Sequence, residues 1–66
     1  MLLGRTIHQE VQRVRLERAK VLLTTTDLPL KQIAAQTGFR YVQYLSLVFH
    51  EATGQTPVNY RKQMRQ

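Results

Sequence analysis

Two glycines, each placed directly after an amphipathic helical pattern, constrain the fold of this chain more than any other feature. Leu30 to Thr37 has the apolar spacing of a short helix, and Gly38 follows it. A second amphipathic stretch ends at Gly54, and Pro57 stands where a further helix would begin. Glycine just past a helix and proline in its first turn are the residues that those positions favour. The pattern predicts a short helix, a tight turn and a second helix.

The same signals, read along the whole chain, predict an all-α fold: a homeodomain-like helix-turn-helix lobe of three helices preceded by one long helix. The predicted helices cover residues 6–24, 30–37, 41–53 and 57–64. The chain has 66 residues and no cysteine, so it forms one small domain without disulfide bonds. A chain of this size buries only about 60% of its unfolded surface, and its stability is therefore expected to be marginal.

The long first helix carries two apolar stripes rather than one. Wound at about 100° per residue, the stripes are Ile7, Val11 and Val14 on one side and Leu16, Ala19 and Leu23 on the other. A surface helix of a single domain normally has one apolar stripe. Two stripes indicate a helix that contacts two separate bodies, and a wide apolar face in a small bundle is the alternative.

The third helix is predicted to have one buried side and one outward side. The residues expected in the core are Leu45, Val48, Phe49 and Ala52, which follow the helical spacing i, i+3, i+4, i+7. The opposite side, called the outward face below, consists of Gln43, Ser46, Leu47 and His50. A helix with such a face after a glycine turn is the arrangement that places side chains in a DNA groove.

Each residue of the outward face has a chemistry that suits duplex DNA. Gln43 can bond the N6/N7 edge of adenine with both ends of its amide, and Leu47 can pack on a thymine methyl group. Ser46 can reach a base or a phosphate, and His50 can donate to a phosphate. Ordinary solvent-exposed side chains are the alternative interpretation, although an exposed Leu47 fits that alternative least well.

Residues around this helix are predicted to contact the DNA backbone. Arg40 and Tyr41 lie in the turn before it, where a cation can bind phosphate without reading sequence. Thr56 is expected to cap the last helix, whose free N–H groups could also meet a phosphate. Arg61 could add a backbone contact or simply be solvated, and Tyr60 is expected to pack against the second or third helix.

Composition favours a polyanionic partner and gives no sign of catalysis. Ten Lys and Arg against four Asp and Glu give a net charge of +6 and a pI of about 10.6. Nucleic acid is therefore the first expected partner and an anionic membrane surface the second, with a plain solvated basic surface as the alternative. His8 and His50 lie far apart and have no evident co-ligands, so we expect no metal or other cofactor. No catalytic pair, nucleophile–base set or phosphate-binding glycine loop is present, and we expect no enzyme.

Four segments together resemble the DNA-binding domain of AraC/XylS-type bacterial transcription regulators. They are Arg15 to Leu23, Leu30 to Phe39, Tyr44 to Phe49, and the Gly54-x-Thr56-Pro57-x-x-Tyr60-Arg61 motif. The resemblance implies a cytoplasmic bacterial protein and a domain with two helix-turn-helix lobes joined by a long helix. Residues 6–24 would be the joining helix and 28–64 the second lobe, so that residues 1–66 form a partial domain without the first lobe.

The resemblance also implies which residues contact DNA. Val42, Gln43, Ser46, Leu47 and His50 match positions of the second reading helix, which enters the major groove. The position of Leu47 is often Arg or Lys in the family, and that of Glu51 is often basic. This chain thus lacks two cations, which indicates weaker phosphate attraction or a different target sequence. The Arg15-Leu16-Glu17-Arg18-Ala19 run and the Thr26-Asp27-Leu28-Pro29 step resemble those of sugar-operon regulators, such as those for xylose.

Sequence-specific DNA binding within a transcription regulator is therefore the predicted function. The alternative is an interaction module, in which the stripe of Ile7, Val11 and Val14 binds another protein surface. That surface would be the first lobe, RNA polymerase or a second copy of the chain.

Overall fold

The computed structural model describes residues 6–65 and contains four α-helices in that range. They are α1 (Ile7–Thr25), α2 (Leu30–Thr37), α3 (Val42–Thr53) and α4 (Pro57–Met64). No β-strand occurs among these residues, so the predicted all-α fold is confirmed. The predicted bounds of α2 and α4 are the observed ones, and those of α1 and α3 differ from the observed ones by one residue.

Local side-chain bonds explain where two of the helices begin. Thr6 and Gln9 form a capping box at α1, in which each side chain bonds the backbone N–H of the other at 3.0–3.1 Å. Thr56 caps α4 by accepting the N–H of Asn59 at 3.2 Å, as predicted. The helix α2 begins after Pro29 with no side-chain cap.

The turn between α2 and α3 requires glycine for two reasons. Gly38 has a φ of +90°, in the left-handed region that L side chains rarely adopt. A Cβ atom added there would also lie 2.9 Å from Nε of Arg15, because the arginine side chain crosses the turn. Phe39 follows with its side chain 3% exposed, which fixes the turn to the core.

A single core joins α1 to the other three helices. Its buried apolar residues are Leu16, Ala19, Leu23, Ile33, Ala34, Phe39, Leu45 and Phe49. The Phe49 ring meets that of Tyr60 edge-on at 5.2 Å, which attaches α4 to α3 as expected. On α1, the stripe of Leu16, Ala19 and Leu23 enters this core, and the stripe of Ile7, Val11 and Val14 does not.

The other stripe of α1 is exposed in the described part of the chain. Ile7 is 82% exposed, Val11 39% and Val14 54%. The two stripes of α1 therefore differ in burial, and the predicted contact with a second body stays a prediction. We call Ile7, Val11 and Val14 the outer stripe.

The predicted core of α3 was wrong at one position. Ala52 is exposed, whereas Leu45 and Phe49 are fully buried and Val48 is half-buried against the core. Ala52 lies in the last turn of α3, three residues beyond the buried Phe49. The helical period indicates the side of a helix on which a residue lies, but it does not determine how far that side is covered.

Candidate nucleic-acid interface

The outward face of α3 is open to solvent, in the orientation that the sequence predicted. Gln43 and His50 are exposed, and Leu47 is 56% exposed. Val42 and Ser46 lie at the edge of this face and are half-buried. The burial of Leu45 and Phe49 on the other side holds the helix in this orientation. The protruding side chains combine an amide, a leucine and an imidazole.

A groove at the start of α3 brings together two cations from different elements. The lining residues are Lys31, Ala34, Ala35, Arg40, Tyr41, Val42 and Gln43. Tyr41 is 62% exposed and precedes the first turn of α3, where no side chain caps the helix. Arg40 and Tyr41 are thus accessible where backbone contacts were predicted.

Lys31 belongs to this groove, and the sequence analysis did not select it. It lies on α2, nine positions before Arg40, so its proximity depends on how the turn folds α2 back against α3. The clue in the sequence was its place one turn before the Ala34–Ala35 pair, on a helix that must cross α3 closely.

A second, polar groove flanks the far end of α3. Its lining residues are Gln55, Asn59, Lys62 and Gln63. The Oε1 atom of Gln55 is buried without a hydrogen-bond partner in the described part of the chain. Thr56 is exposed beside this groove, although its hydroxyl already accepts the N–H of Asn59.

Arg61 has internal partners that the sequence did not indicate. Its guanidinium donates to the carbonyl oxygens of Leu23, Thr26 and Leu28 at 3.0, 3.1 and 2.8 Å. These carbonyls lie at the end of α1 and in the following loop, and a helix end leaves such groups without partners. The side chain is half-buried. Nothing in these contacts tests the predicted phosphate contact, but they give Arg61 a role within the fold.

Most acidic side chains are paired away from α3. Glu10 bonds Arg13 at 2.8 Å and Glu17 bonds Lys20 at 3.2 Å, both within α1. Asp27 bonds Arg65, and this hydrogen bond and the arginine charge lower the pKa of the Asp27 carboxyl.

Several cations, by contrast, have no acidic partner within residues 6–65. They are Arg15, Arg18, Lys31, Arg40 and Lys62. The acidic charge nearest to the outward face along α3 is the exposed Glu51. Unpaired cations near the ends of α3 favour an anionic partner.

Residues 6–65 contain no cluster of three His, Cys, Asp or Glu side chains that could hold a metal ion. None of their helices is long and apolar enough to cross a bilayer.

Comparison with known proteins places the chain among transcription regulators. Residues 1–63 match the family HTH_18, described as a helix-turn-helix domain. The transcriptional activator RhaR of Enterobacter sp. (strain 638) is 34% identical over 62 residues, which are 94% of this chain and 22% of that protein. RhaR of Salmonella arizonae is 40% identical over 58 residues, or 88% of this chain and 21% of the relative.

A solved structure, that of the xylose-binding transcription activator xylR, has a similar fold. The two structures superpose with a TM-score of 0.86 at 34% sequence identity. The matched region covers 97% of this chain and 17% of the xylR chain. The chain therefore spans about a fifth of the length of the relatives that it matches.

Proposed function

This chain belongs to the AraC-type helix-turn-helix DNA-binding domains, and from that premise we propose that it binds duplex DNA sequence-specifically within a bacterial transcription regulator. The observation that carries the proposal is the division of α3 into two sides. Leu45 and Phe49 are fully buried, while Gln43, Leu47 and His50 project into solvent. A helix held from behind in this way can enter the major groove without losing core contacts.

We propose that the bases are read by the outward face together with Val42. Gln43 is best suited to adenine, and Leu47 to the methyl group of thymine. Ser46 and Val42 are half-buried and contact bases from the edge of the face. His50 lies one helical turn from the C-terminus of α3, where it can reach a base or a neighbouring phosphate.

Backbone contacts are proposed for Arg40, Tyr41 and Thr56. Arg40 and Tyr41 line the groove at the start of α3 together with Lys31, which we add to this set. Thr56 caps the start of α4, where free N–H groups favour an anion. Arg61 also stays a proposed backbone contact, and its internal hydrogen bonds support a further role in fixing α4.

The domain organisation is part of the same proposal. Residues 6–24 act as the joining helix and residues 28–64 as the second of two lobes. The exposure of the outer stripe, next to a groove lined by Ile7, Glu10, Val11, Val14 and Arg15, supports this division. The relatives are transcription regulators, and on that basis we propose a cytoplasmic, non-enzymatic role.

A binding selection from a random duplex library tests the proposed function. We expect one sequence family to be enriched, and affinity for it to fall as salt rises because counterions are released. For Gln43→Ala, the loss should be about 1–3 kcal/mol and confined to one base position. For Leu47→Ala, we expect weaker preference at a thymine.

Gln36→Ala is the matched control, because it removes an exposed glutamine on α2 that lies outside both grooves of the candidate interface. This control should bind as the parent chain does. Equal binding of selected and scrambled duplexes at fixed salt would overturn sequence-specific recognition. A uniform loss over all sequences with Gln43→Ala would make Gln43 a residue that positions the helix and does not read a base.

The outer stripe of α1 favours a second candidate function, an interaction surface. An apolar strip of this kind drives association with another protein surface. We propose the first lobe of the two-lobe domain as its partner, with RNA polymerase or a second copy of the chain as the other candidates.

A further inference from the structure

Tyr44 lies beside the outward face and is tied to α1. It follows Gln43 on the first turn of α3 and is 39% exposed. Its ring meets the buried ring of Phe39 edge-on at 5.8 Å. Its hydroxyl oxygen accepts a hydrogen bond of 2.7 Å from Nε2 of Gln12, which comes from α1, 32 positions away in the sequence. Two contacts from different elements therefore fix one partly exposed phenol.

The hydrogen bonds at this site leave the phenol hydrogen unused. A tyrosine hydroxyl can accept and donate at the same time, whereas the amide nitrogen of Gln12 can only donate. Because Gln12 supplies the hydrogen in this pair, the hydroxyl hydrogen of Tyr44 is available, and no residue within 6–65 accepts it. The other end of the Gln12 amide, Oε1, is buried without a partner, so this amide orientation leaves one of its own polar atoms unsatisfied.

The surroundings of Tyr44 favour an anionic acceptor. Arg15 lies one turn beyond Gln12 on α1, and its guanidinium crosses the α2–α3 turn at Gly38. Arg15 has no acidic partner in the described chain. A neutral donor and an unpaired cation thus lie at the same edge, where α1 meets the start of α3.

The dimensions of DNA bring a backbone phosphate to this edge. A helix with its side chains is about 10–12 Å across, and the major groove is about 12 Å wide. Side chains next to the base-reading face of an inserted helix therefore meet the phosphate walls of the groove. Tyr44 occupies such a flanking position, three residues before Leu47.

We propose that Tyr44 is a further DNA-binding residue, whose hydroxyl donates its hydrogen to a phosphate oxygen. Gln12 is a positioning residue, which holds the phenol oxygen so that its hydrogen points away from the protein. This inference rests on the proposed binding of duplex DNA and adds a contact that links α1 to the position of α3 in the groove.

Removing the hydroxyl alone tests the contact. Tyr44→Phe keeps the ring against Phe39, and we expect about tenfold weaker binding, as for one hydrogen bond to a charged group. The loss should be equal for selected and scrambled duplexes, with an unchanged salt slope because no cation is removed. Tyr60→Phe, which removes a hydroxyl in the packed interface of α3 and α4, is the matched control and should bind like the parent chain.

The acceptor is identified with duplexes in which single phosphates are replaced by neutral methylphosphonates. The parent chain should lose affinity at one particular phosphate, and Tyr44→Phe should show no further loss there. Losses in Tyr44→Phe that match the parent at every phosphate would overturn the contact.

The role of Gln12 is tested with Gln12→Glu in two backgrounds. A carboxylate only accepts, so it takes the Tyr44 hydrogen and should weaken DNA binding in the parent chain. In the Tyr44→Phe background this effect should largely disappear, whereas a plain charge effect would persist and contradict the positioning role. Thermal melting checks that each variant is folded. If the parent chain binds no duplex at all, the proposed function fails; if it binds and Tyr44→Phe equals it, only this inference fails.

Discussion

At the scale of single residues, Phe49 and Gln43 of α3 have different roles. Phe49 belongs to the core, whereas Gln43 lies on the outward face. Phe49 is completely buried and contacts Tyr60. The side chain of Gln43 is exposed and has no hydrogen-bond partner in residues 6–65. Replacing Gln43 should therefore leave the core intact and, under the proposed function, weaken DNA binding. Replacing Phe49 removes the packing that keeps the outward face in place.

Phe49→Ala should lower the free energy of unfolding by about 3–5 kcal/mol, because it leaves a cavity in the core. A domain of this size has little stability to spare, so we expect a largely unfolded chain at room temperature. Far-UV circular dichroism during urea titration measures this effect. His50→Ala, the next residue and an exposed one, is the control and should unfold like the parent chain.

Asp27 gives the chain a small dependence on acid. Its bond to Arg65 lowers the pKa of the carboxyl below its ordinary 3.8, with the hydrogen bond as the main cause. The stabilisation is therefore present above the unfolded pKa and lost as pH falls through the lower, folded value. Because Asp27 is exposed, we expect a slight effect.

The melting temperatures of the parent chain and of Asp27→Asn, measured between neutral and strongly acidic pH, check this prediction. The parent chain should melt slightly higher at neutral pH, and the two curves should converge in acid. A difference that grows as pH falls would contradict the assigned direction.

At the scale of elements, one arginine fixes α4 against the end of α1. The guanidinium of Arg61 bonds three carbonyl groups that the end of α1 and its loop leave open. Together with the contact between Tyr60 and Phe49, this attachment places Thr56 beside the far end of α3. The last helix is thus held by polar bonds on one side and by an aromatic contact on the other.

Arg61→Lys should destabilise the chain by about 1–3 kcal/mol, because one ammonium cannot replace a planar donor with three partners. The salt slope of DNA binding should stay the same, since the positive charge remains. Arg61→Gln then separates the two roles of this residue. If Arg61 acts only inside the fold, the slope remains unchanged, and if it contacts phosphate the slope falls by about one. Each titration is performed where the variant is fully folded.

At the scale of the whole molecule, the chain has two exposed surfaces that belong to different elements. The outward face of α3 is polar except for Leu47, and it contacts DNA in our proposal. The outer stripe of α1 is apolar. Both are held by the same small core.

Sedimentation velocity over a wide concentration range tests the apolar surface. If a second copy can cover it, the parent chain should show a rising sedimentation coefficient, and the double variant Val11→Ser, Val14→Ser should remain a monomer. Both valines are exposed, so the variant should fold normally. A parent chain that stays strictly monomeric would contradict self-association and leave a different protein as the partner.

Sequence alone determined the helices, the ends of α2 and α4, the caps at Thr56 and Gly38, and the direction of the outward face. All of these depend on residues within about one helical turn of each other, where hydrogen bonding and the helical period act directly. The division of the apolar residues of α1 into two stripes was predictable for the same reason.

Tertiary structure decided what covers each surface. It gave Arg61 three carbonyl partners, left Ala52 exposed, brought Lys31 to Arg40 and joined Gln12 to Tyr44. These contacts connect residues on different elements, and their geometry depends on how far each helix extends past its neighbour. The period of a helix fixes the direction in which a side chain points, but only the packing of the helices fixes what lies there.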